Sequence, residues 1–346
     1  MATKITRLTD EERFLCFGFG NADPSDGILY RNAYGDRILP SGEQRVLIIG
    51  LGGQGIKSVN IIKNEVQSKF QDTEGKIAFA AIDTDPSDMK NYTALSDYEK
   101  FIIPLSTGIY KRYNQRCGRS EFTKGWINPD FNLDFRDINF SRQAGRARMF
   151  DTSSQVIHTD ERIISFLKWR TVDLLDGFDP NTMKFRVHIV TGIAGQTGSA
   201  GVVELAHFVH RAFHNFGDRV QVFGYFYLPD VVEQYHVGKV FMPKIRANGY
   251  AALKELDYYQ SVFQREDSDY LYLSTSGEPP YEISRNNRLY HTVYLISGSI
   301  DDTTKDKNKN AINTVCAYII NQLRRFPNMQ RANAGDIPVF SEANFR

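Results

Sequence analysis

The chain has 346 residues, of which 41% are hydrophobic and 24% charged, a composition typical of a globular protein with a sizeable core. Because 42 Lys and Arg residues balance 41 Asp and Glu residues, no overall field favours nucleic acid or an anionic membrane, and we predict neither as a partner. Cys16, Cys117 and Cys316 lie far apart, which argues against a zinc or disulfide framework, and no apolar run is long enough for membrane insertion. With the polar start MATKITRLTDEER, these features predict a cytoplasmic protein.

The first half of the chain alternates short apolar runs with one helical pattern. Residues 1–44 contain turn formers without sustained periodicity, so we predict an N-terminal extension there. The run VLII predicts a strand that leads through the glycine-rich stretch GLGGQGIKS, residues 50–58, into a helix. Apolar residues mark that helix at helical spacing: Ile56, Val59, Ile62, Val66 and Phe70. KIAFAAID and FIIPLS predict a second and a third strand, so parallel strands with helical crossovers are expected.

The second half continues this alternation around two irregular stretches, 107–151 and 262–290, which we predict to be insertions. A helix is predicted over 161–175, followed by the strand FRVHIV and the second glycine-rich stretch GIAGQTGSAG, residues 192–201. A helix with Val203, Ala206, Val209 and Phe213 on one side, the strand VQVFGYFYLP, a helix over 244–260 and the strand HTVYLIS come next. A last helix carries apolar residues at helical spacing: Ile312, Val315, Ile319 and Leu323.

Both glycine-rich stretches fit phosphate binding. A strand that ends in glycines and opens a helix presents unpaired backbone N–H groups and the positive end of the helix dipole. A P-loop is disfavoured for the first stretch, because Ile56 separates Gly55 from Lys57 and moves the lysine out of register. A Rossmann dinucleotide site matches GxGxxG in that stretch, with Asp83 as the ribose-binding acid, but it leaves the second stretch without a role.

Five segments in chain order indicate a fold that uses both stretches. GLGGQGIKSVN follows the first predicted strand, DTDPSD the second and TGIAGQTGSAG the fourth, while GRARMF and RANGYAALKEL lie at 145–150 and 246–256. In the order in which they are named, these segments resemble five parts of the tubulin/FtsZ superfamily: its first phosphate loop, its NTDAQ loop, its GGGTG[ST]G signature, a glycine-arginine segment and a base-contact segment. Along the chain, the glycine-arginine segment comes before the signature, and the five parts occur in the family's order. The resemblance spans roughly residues 45–323 and is that of a divergent prokaryotic tubulin-like protein.

The resemblance implies a fold and a set of ligand residues. The fold is an α/β, Rossmann-type GTPase domain at 45–304 with a parallel sheet flanked by helices, then a core helix and short tail at 305–346, with the activation domain missing or truncated. GTP or GDP would bind with Mg²⁺, which Asp85 would help to hold, and the base would contact Asn248 and either Asn313 or Asn310. The remaining predicted contacts are Asp83 and residues of the two glycine-rich stretches: Gly52, Gly53, Gln54, Gly55, Ala194, Gly195, Gln196, Thr197, Gly198 and Ser199.

The second stretch departs from the family signature at Ala194, Gln196 and Ala200. Gln196 is the departure with chemical consequences, because it adds a side chain where backbone otherwise approaches phosphate. Its amide can itself donate a hydrogen bond to an oxygen. Phosphate binding is therefore still expected, with a different local geometry.

The resemblance further implies self-association into head-to-tail filaments in which a neighbouring subunit supplies an acid for slow GTP hydrolysis. NLDFRD has the spacing of the family's acidic loop in Asp134 and Asp137, at a different place in the chain, and the tail contains Asp336. These three are the candidate catalytic residues, and whether the chain is a GTPase stays open. The alternatives are a hydrolysis-deficient scaffold that uses nucleotide as an assembly switch, a chain whose missing function comes from a partner protein, and an NAD-binding oxidoreductase.

Overall fold

The computed structural model describes residues 30–31, 37–38, 44–71, 73–104, 109, 141–151, 158–233, 242–261, 289–298, 306–324 and 330–331. Its strands are β1 Tyr30–Arg31, β2 Arg37–Ile38, β3 Gln44–Leu51, β4 Phe70–Gln71, β5 Ile77–Asp83, β6 Lys100–Ile102, β7 Lys184–Gly192, β8 Val220–Tyr227, β9 Thr292–Ile296 and β10 Gln330–Arg331. Its helices are α1 Gly52–Lys69, α2 Pro86–Asn91, α3 Arg142–Met149, α4 Thr159–Arg170, α5 Val172–Leu175, α6 Gln196–Ala212, α7 Asp230–Glu233, α8 Met242–Ser261 and α9 Lys307–Arg324. The predicted insertions lie mostly outside the described residues.

Six strands form one sheet in the order β6-β5-β3-β7-β8-β9, and every neighbouring pair is parallel. This is the strand order of doubly wound α/β folds, in which the chain starts at the centre and builds first to one side and then to the other. The predicted parallel sheet flanked by helices is confirmed. Two antiparallel pairs, β1 with β2 and β4 with β10, lie outside the main sheet.

Strand β3 shows how the sheet buries both of its faces. Leu47, Ile49 and Leu51 belong to a core formed with α3, α4, α6 and α8, whereas Val46 and Ile48 belong to a second core formed with α1 and α9. The division follows from the two-residue period of a strand, which points successive side chains to opposite faces. Helix α9 therefore packs beside α1, and its four predicted apolar residues are all buried, as expected of a core helix.

The structure differs from the sequence-based prediction in three helical segments. The helix predicted over 161–175 is divided into α4 and α5 at Thr171, whose hydroxyl donates to the carbonyl O of Leu167 at 3.0 Å. Phe70 fits the helical spacing but has extended backbone and begins β4 instead. Helix α6, predicted to be apolar on one side, is buried almost all round, because α3, α4 and α8 surround the faces that the sheet leaves free.

Two glycines allow α1 and α6 to start directly against the sheet. A Cβ atom on Gly55 would lie 2.1 Å from the carbonyl O of Val190 in β7, and one on Gly198 would lie 2.2 Å from the carbonyl O of Gly192. These distances are far below van der Waals contact, so any larger residue would displace the helix or the strand.

Helix α3 carries an ion pair that is removed from solvent. Arg146 Nη1 lies 2.8 Å from Glu204 Oε1 on α6, and the two side chains are 1% and 0% exposed. Burial raises the pKa of Glu204, and the nearby guanidinium of Arg146 opposes that rise. One turn earlier, Arg142 donates to both carboxylate oxygens of Glu255 on α8, at 3.0 and 2.6 Å, and to the carbonyl O of Ser199. Polar contacts of α3 thus connect it to both α6 and α8.

Replacing Gly55 by Ala should lower the free energy of unfolding by about 1–3 kcal/mol, because the added methyl group meets the carbonyl of Val190. Urea unfolding followed by circular dichroism measures the change. Asn64→Ala, at an exposed position of the same helix, is the matched control and should change the value by less than about 0.5 kcal/mol. Equal stability of Gly55→Ala and the unsubstituted protein would contradict the close approach of α1 and β7.

Glu204→Leu should destabilise the fold by about 3–5 kcal/mol, because it leaves the charge of Arg146 buried without its carboxylate. The double variant Arg146→Met with Glu204→Leu removes both charges and should regain most of that loss. Unfolding free energies of the unsubstituted protein, Arg146→Met, Glu204→Leu and the double variant form a complete thermodynamic cycle. Additive losses would show that the two side chains do not interact.

Candidate functional site

The two glycine-rich stretches meet at the centre of the sheet. Strands β3 and β7 are neighbours, and their carboxyl ends lead into α1 and α6, which pack on opposite faces. From β3 the chain crosses to β5 on one side, and from β7 it crosses to β8 on the other. Ligands of open α/β sheets bind in the crevice that opens at such a reversal of strand order.

Both helices begin there without a side-chain cap. The N-cap residues, Leu51 for α1 and Gly195 for α6, make no capping hydrogen bond, and neither helix has an acidic residue in its first turn. By contrast, Asp85 caps α2 and Ser141 caps α3. Backbone N–H groups at helix N-termini without side-chain caps can donate to an anion such as phosphate, and here two such ends meet at one place.

A cleft of about 480 Å³ lies between these helix ends. It is lined by most of the predicted ligand residues: Gly52, Gly53, Gln54, Asp83, Asp85, Ala194, Gly195, Gln196, Thr197 and Gly198. It is also lined by residues that the sequence did not single out as ligand contacts: Leu51, Lys57, Thr84, Tyr92, Gly192, Tyr227, Leu228, Val232 and Asn308. The structure thus brings residues from both glycine-rich stretches and from the end of β5 around one space.

Two features of the second glycine-rich stretch suit a ligand oxygen. The side-chain Nε2 of Gln196 is buried and finds no acceptor among the described residues, which is an unfavourable state for an amide donor. Gly195 has ordinary backbone angles, and a methyl group on it would meet no described residue within 4 Å beyond its two chain neighbours. The stretch therefore combines an unsatisfied donor with a glycine whose Cβ position is open, and its residues fit a phosphate group.

Asp83 contacts the second stretch directly. Its Oδ1 accepts a hydrogen bond from Thr197 Oγ1 at 2.7 Å and from the backbone N of Thr84 at 2.6 Å. The hydroxyls of Thr84 and Thr197 are themselves 2.7 Å apart. Asp83 therefore joins the end of β5 to the start of α6, which is a different role from the ribose contact of a dinucleotide site.

Asp85 is the acid that stays exposed at the cleft. Its Oδ1 accepts from the backbone N of Ser87 at 2.8 Å and thereby caps α2. Among the described residues, no group of three or more His, Cys, Asp and Glu side chains is placed to hold a metal ion by itself. A hard cation at this cleft would therefore share Asp85 with oxygens of a ligand or of water.

Arg148 fixes the loop that carries Asp85. Its Nη2 donates to the carbonyl oxygens of Thr84 at 2.8 Å and Ile103 at 2.7 Å, and its Nε donates to that of Pro104 at 3.1 Å. Burial lowers its pKa to about 10, against the opposing charges of nearby Asp83, Asp85 and Asp151. This arginine of the segment GRARMF thus holds the ends of β5 and β6 together at the edge of the cleft.

Four predicted ligand residues do not line the cleft. Gly55 contacts β7, and the buried hydroxyl of Ser199 donates to the carbonyl O of Gly195. Asn248 is buried, and its Nδ2 donates to the carbonyl O of Ala194 at 3.0 Å. The structure places Asn313 on the exposed surface of α9, where Asn310 is exposed as well.

Asn308 occupies the position at the cleft that was expected for Asn313 or Asn310. It is 1% exposed, and its Nδ2 donates to Gln54 Oε1 of the first glycine-rich stretch at 3.0 Å. Asn308 is the second residue of α9, and only the start of that helix reaches the cleft. Its position at the helix start was therefore the sequence feature that could have identified it as a cleft residue. The candidate catalytic residues Asp134, Asp137 and Asp336 lie outside the described residues.

Within the part of the chain that the structure describes, none of the helices has the length and apolar character that a membrane crossing requires.

No curated protein sequence matches the chain significantly. The sequence profile of a family described as "Tubulin like" matches residues 132–335, which include the second glycine-rich stretch and α9 but not the first stretch.

Several solved structures have a similar fold. CetZ from Methanosaeta thermophila is 12% identical, with 81% of this chain and 53% of that chain covered and a TM-score of 0.47. TubZ from Bacillus thuringiensis serovar israelensis, in a GTPγS-form protofilament, is 14% identical, with 82% and 56% covered and a TM-score of 0.44. An FtsZ variant from M. jannaschii is 14% identical, with 82% and 56% covered and a TM-score of 0.41. The chain therefore spans a little over half the length of each of these structures.

The family profile covers more than half of the chain, and its matched region contains the strand, glycine-rich turn and helix that form one side of the cleft. The resemblance inferred from the sequence is thereby confirmed, and the protein belongs to the tubulin-like family as a divergent member.

Proposed function

We propose that this protein binds GTP in the cleft between α1 and α6 and assembles head to tail into filaments. The observation that carries the proposal is the meeting of two helix N-termini without side-chain caps at one cleft, beside the unsatisfied amide of Gln196. Membership of the tubulin-like family supports a guanine nucleotide as the ligand and self-association as its consequence.

The phosphates would bind at the helix N-termini. Backbone N–H groups of Gly52 and Gly53 would contact them from one side, and those of Gln196 and Thr197 from the other. The amide of Gln196 would add a side-chain donor. Asp85 would hold the magnesium ion, which would neutralise part of the phosphate charge.

The base would bind toward α9. Asn308 lines that end of the cleft, and the apolar side chains of Leu228 and Val232 lie on the same lining. Asn308 is a better candidate for a base contact than Asn313, which is exposed elsewhere on α9. Asn248 would act indirectly, by holding the carbonyl of Ala194 in the second glycine-rich stretch.

Hydrolysis would be slow and would depend on an acid from a neighbouring subunit, because that carboxylate would orient the attacking water and accept its proton. Asp134, Asp137 and Asp336 remain the proposed source of that acid. An NAD-binding oxidoreductase is less favoured, because Thr197 and Thr84 both bind Oδ1 of the acid expected to contact the ribose.

Gly195→Ala should weaken GTP binding by about tenfold or more, equivalent to ~1.4 kcal/mol, because the methyl group fills the open Cβ position in the proposed phosphate site. Isothermal titration calorimetry measures the affinity. The melting temperature should stay unchanged, since the methyl group meets no described residue beyond its two chain neighbours. Gln67→Ala, on the exposed face of α1, is the control that should leave affinity unchanged. Undiminished GTP affinity of Gly195→Ala would contradict the phosphate assignment.

Sedimentation with GTP, ATP, NAD or no nucleotide, with phosphate release followed in the same samples, tests assembly and hydrolysis together. We expect pelleting and slow phosphate release with GTP alone. In that case Asp134→Asn, Asp137→Asn and Asp336→Asn identify the acid, since the relevant variant should assemble without releasing phosphate. Assembly without release in the unsubstituted protein would instead indicate a hydrolysis-deficient scaffold, and binding of NAD alone would refute the proposal.

A further inference from the structure

Helix α1 carries three lysines, and Lys57 differs from the other two in its contacts. Lys63 pairs with Glu99, and Lys69 pairs with Glu65 one turn away on the same helix. Lys57 lines the cleft and is partly buried, yet it forms no hydrogen bond or ion pair with any residue that the structure describes. A lysine that lines a cleft without an ion pair leaves its ammonium group available to an anion bound there.

The acids of the cleft do not supply that counter-charge. Asp85 uses Oδ1 to cap α2, and Asp83 uses Oδ1 to accept from Thr84 and Thr197. Neither carboxylate forms an ion pair with Lys57, although both line the same cleft. Among the cleft-lining residues, Lys57 is the one with a full positive charge.

The helix geometry directs Lys57 toward the glycine-rich turn. Side chains on a helix tilt toward its N-terminus, so the long stem of Lys57 runs back toward the first turn of α1. That turn contains Gly52 and Gly53, which also line the cleft. The residue between the last glycine and the lysine, Ile56, is fully buried in the core with α9. The lysine is therefore out of register for a P-loop in sequence but still reaches the cleft in the structure.

We propose that Lys57 is a ligand-contact residue that supplies a cationic side chain to the phosphates of the bound nucleotide. The inference rests on the proposed function, because it takes the anion in the cleft to be a nucleotide's phosphate chain. A charged donor to phosphate strengthens binding in proportion to the charge of the ligand, so GTP should depend on Lys57 more than GDP, and GDP more than guanosine.

The test compares Lys57→Met with the unsubstituted 346-residue chain by calorimetric titration with GTP, GDP and guanosine. We expect the affinity for GTP to fall roughly tenfold to hundredfold, with a smaller loss for GDP and no loss for guanosine. Lys57→Arg should retain most of the affinity, because it keeps the charge. Lys69→Met, on the same helix but at its far end, should bind GTP like the unsubstituted chain. Melting temperatures identify any variant that fails to fold, and Lys57→Gln then replaces Lys57→Met as the variant without the charge.

Three outcomes would overturn the inference, and they separate it from the proposed function. Unchanged GTP affinity of Lys57→Met, in a protein that binds GTP, refutes the lysine contact and leaves the function standing. An equal loss for GTP and guanosine would place Lys57 at the base and refute the phosphate contact. If the unsubstituted chain fails to bind GTP, the proposed function is wrong. Titration with inorganic tripolyphosphate then tests the contact of Lys57 with an anion separately. Lys57-dependent binding of tripolyphosphate supports the anion contact, and no binding refutes it.

Discussion

The site depends on how closely two helices approach the sheet at the place where the strand order reverses. Carbonyl oxygens of Val190 and Gly192 leave no room for a Cβ atom on Gly55 or Gly198, so α1 and α6 start in direct contact with β7 and its end. Because β3 and β7 are neighbours, both helix N-termini then face the same crevice. A larger residue at either glycine would move one helix away, and the two sets of backbone donors would no longer face the same crevice.

Three arginines of α3 connect the elements that surround that crevice. Arg146 pairs with Glu204 inside the contact between α3 and α6, while Arg142 connects α6 with Glu255 of α8. Arg148 binds three carbonyl oxygens at the ends of β5 and β6. One short helix therefore positions both the second glycine-rich stretch and the loop with Asp85. Such pairs cost desolvation energy, so they contribute more to a single defined geometry of the cleft than to net stability.

The elements with strong periodicity were predictable, and the contacts between them were not. Apolar spacing identified α1, α6 and α9 and the main strands, because that spacing reports which side of an element is buried. The same spacing does not report which end of a helix meets a cleft, so the sequence indicated Asn313 or Asn310 on α9, whereas Asn308 lines the cleft. From the sequence, Lys57 was considered only as the lysine of a P-loop and was out of register for that motif. Its position at the cleft follows from the direction of α1, which a linear motif does not describe.

By itself, the sequence determined the fold class, the family and the place of the two glycine-rich turns between strand and helix, because strand, turn and helix signals act over a few neighbouring residues. Only the tertiary structure decided that Asp83 binds Thr197, 114 positions later, and that Asn308 binds Gln54, 254 positions earlier. It also decided that Asn248 holds the carbonyl of Ala194. The physical reason is that each of these contacts requires elements distant in the chain to pack at one edge of the sheet, and packing is specified by the whole core and not by a local pattern.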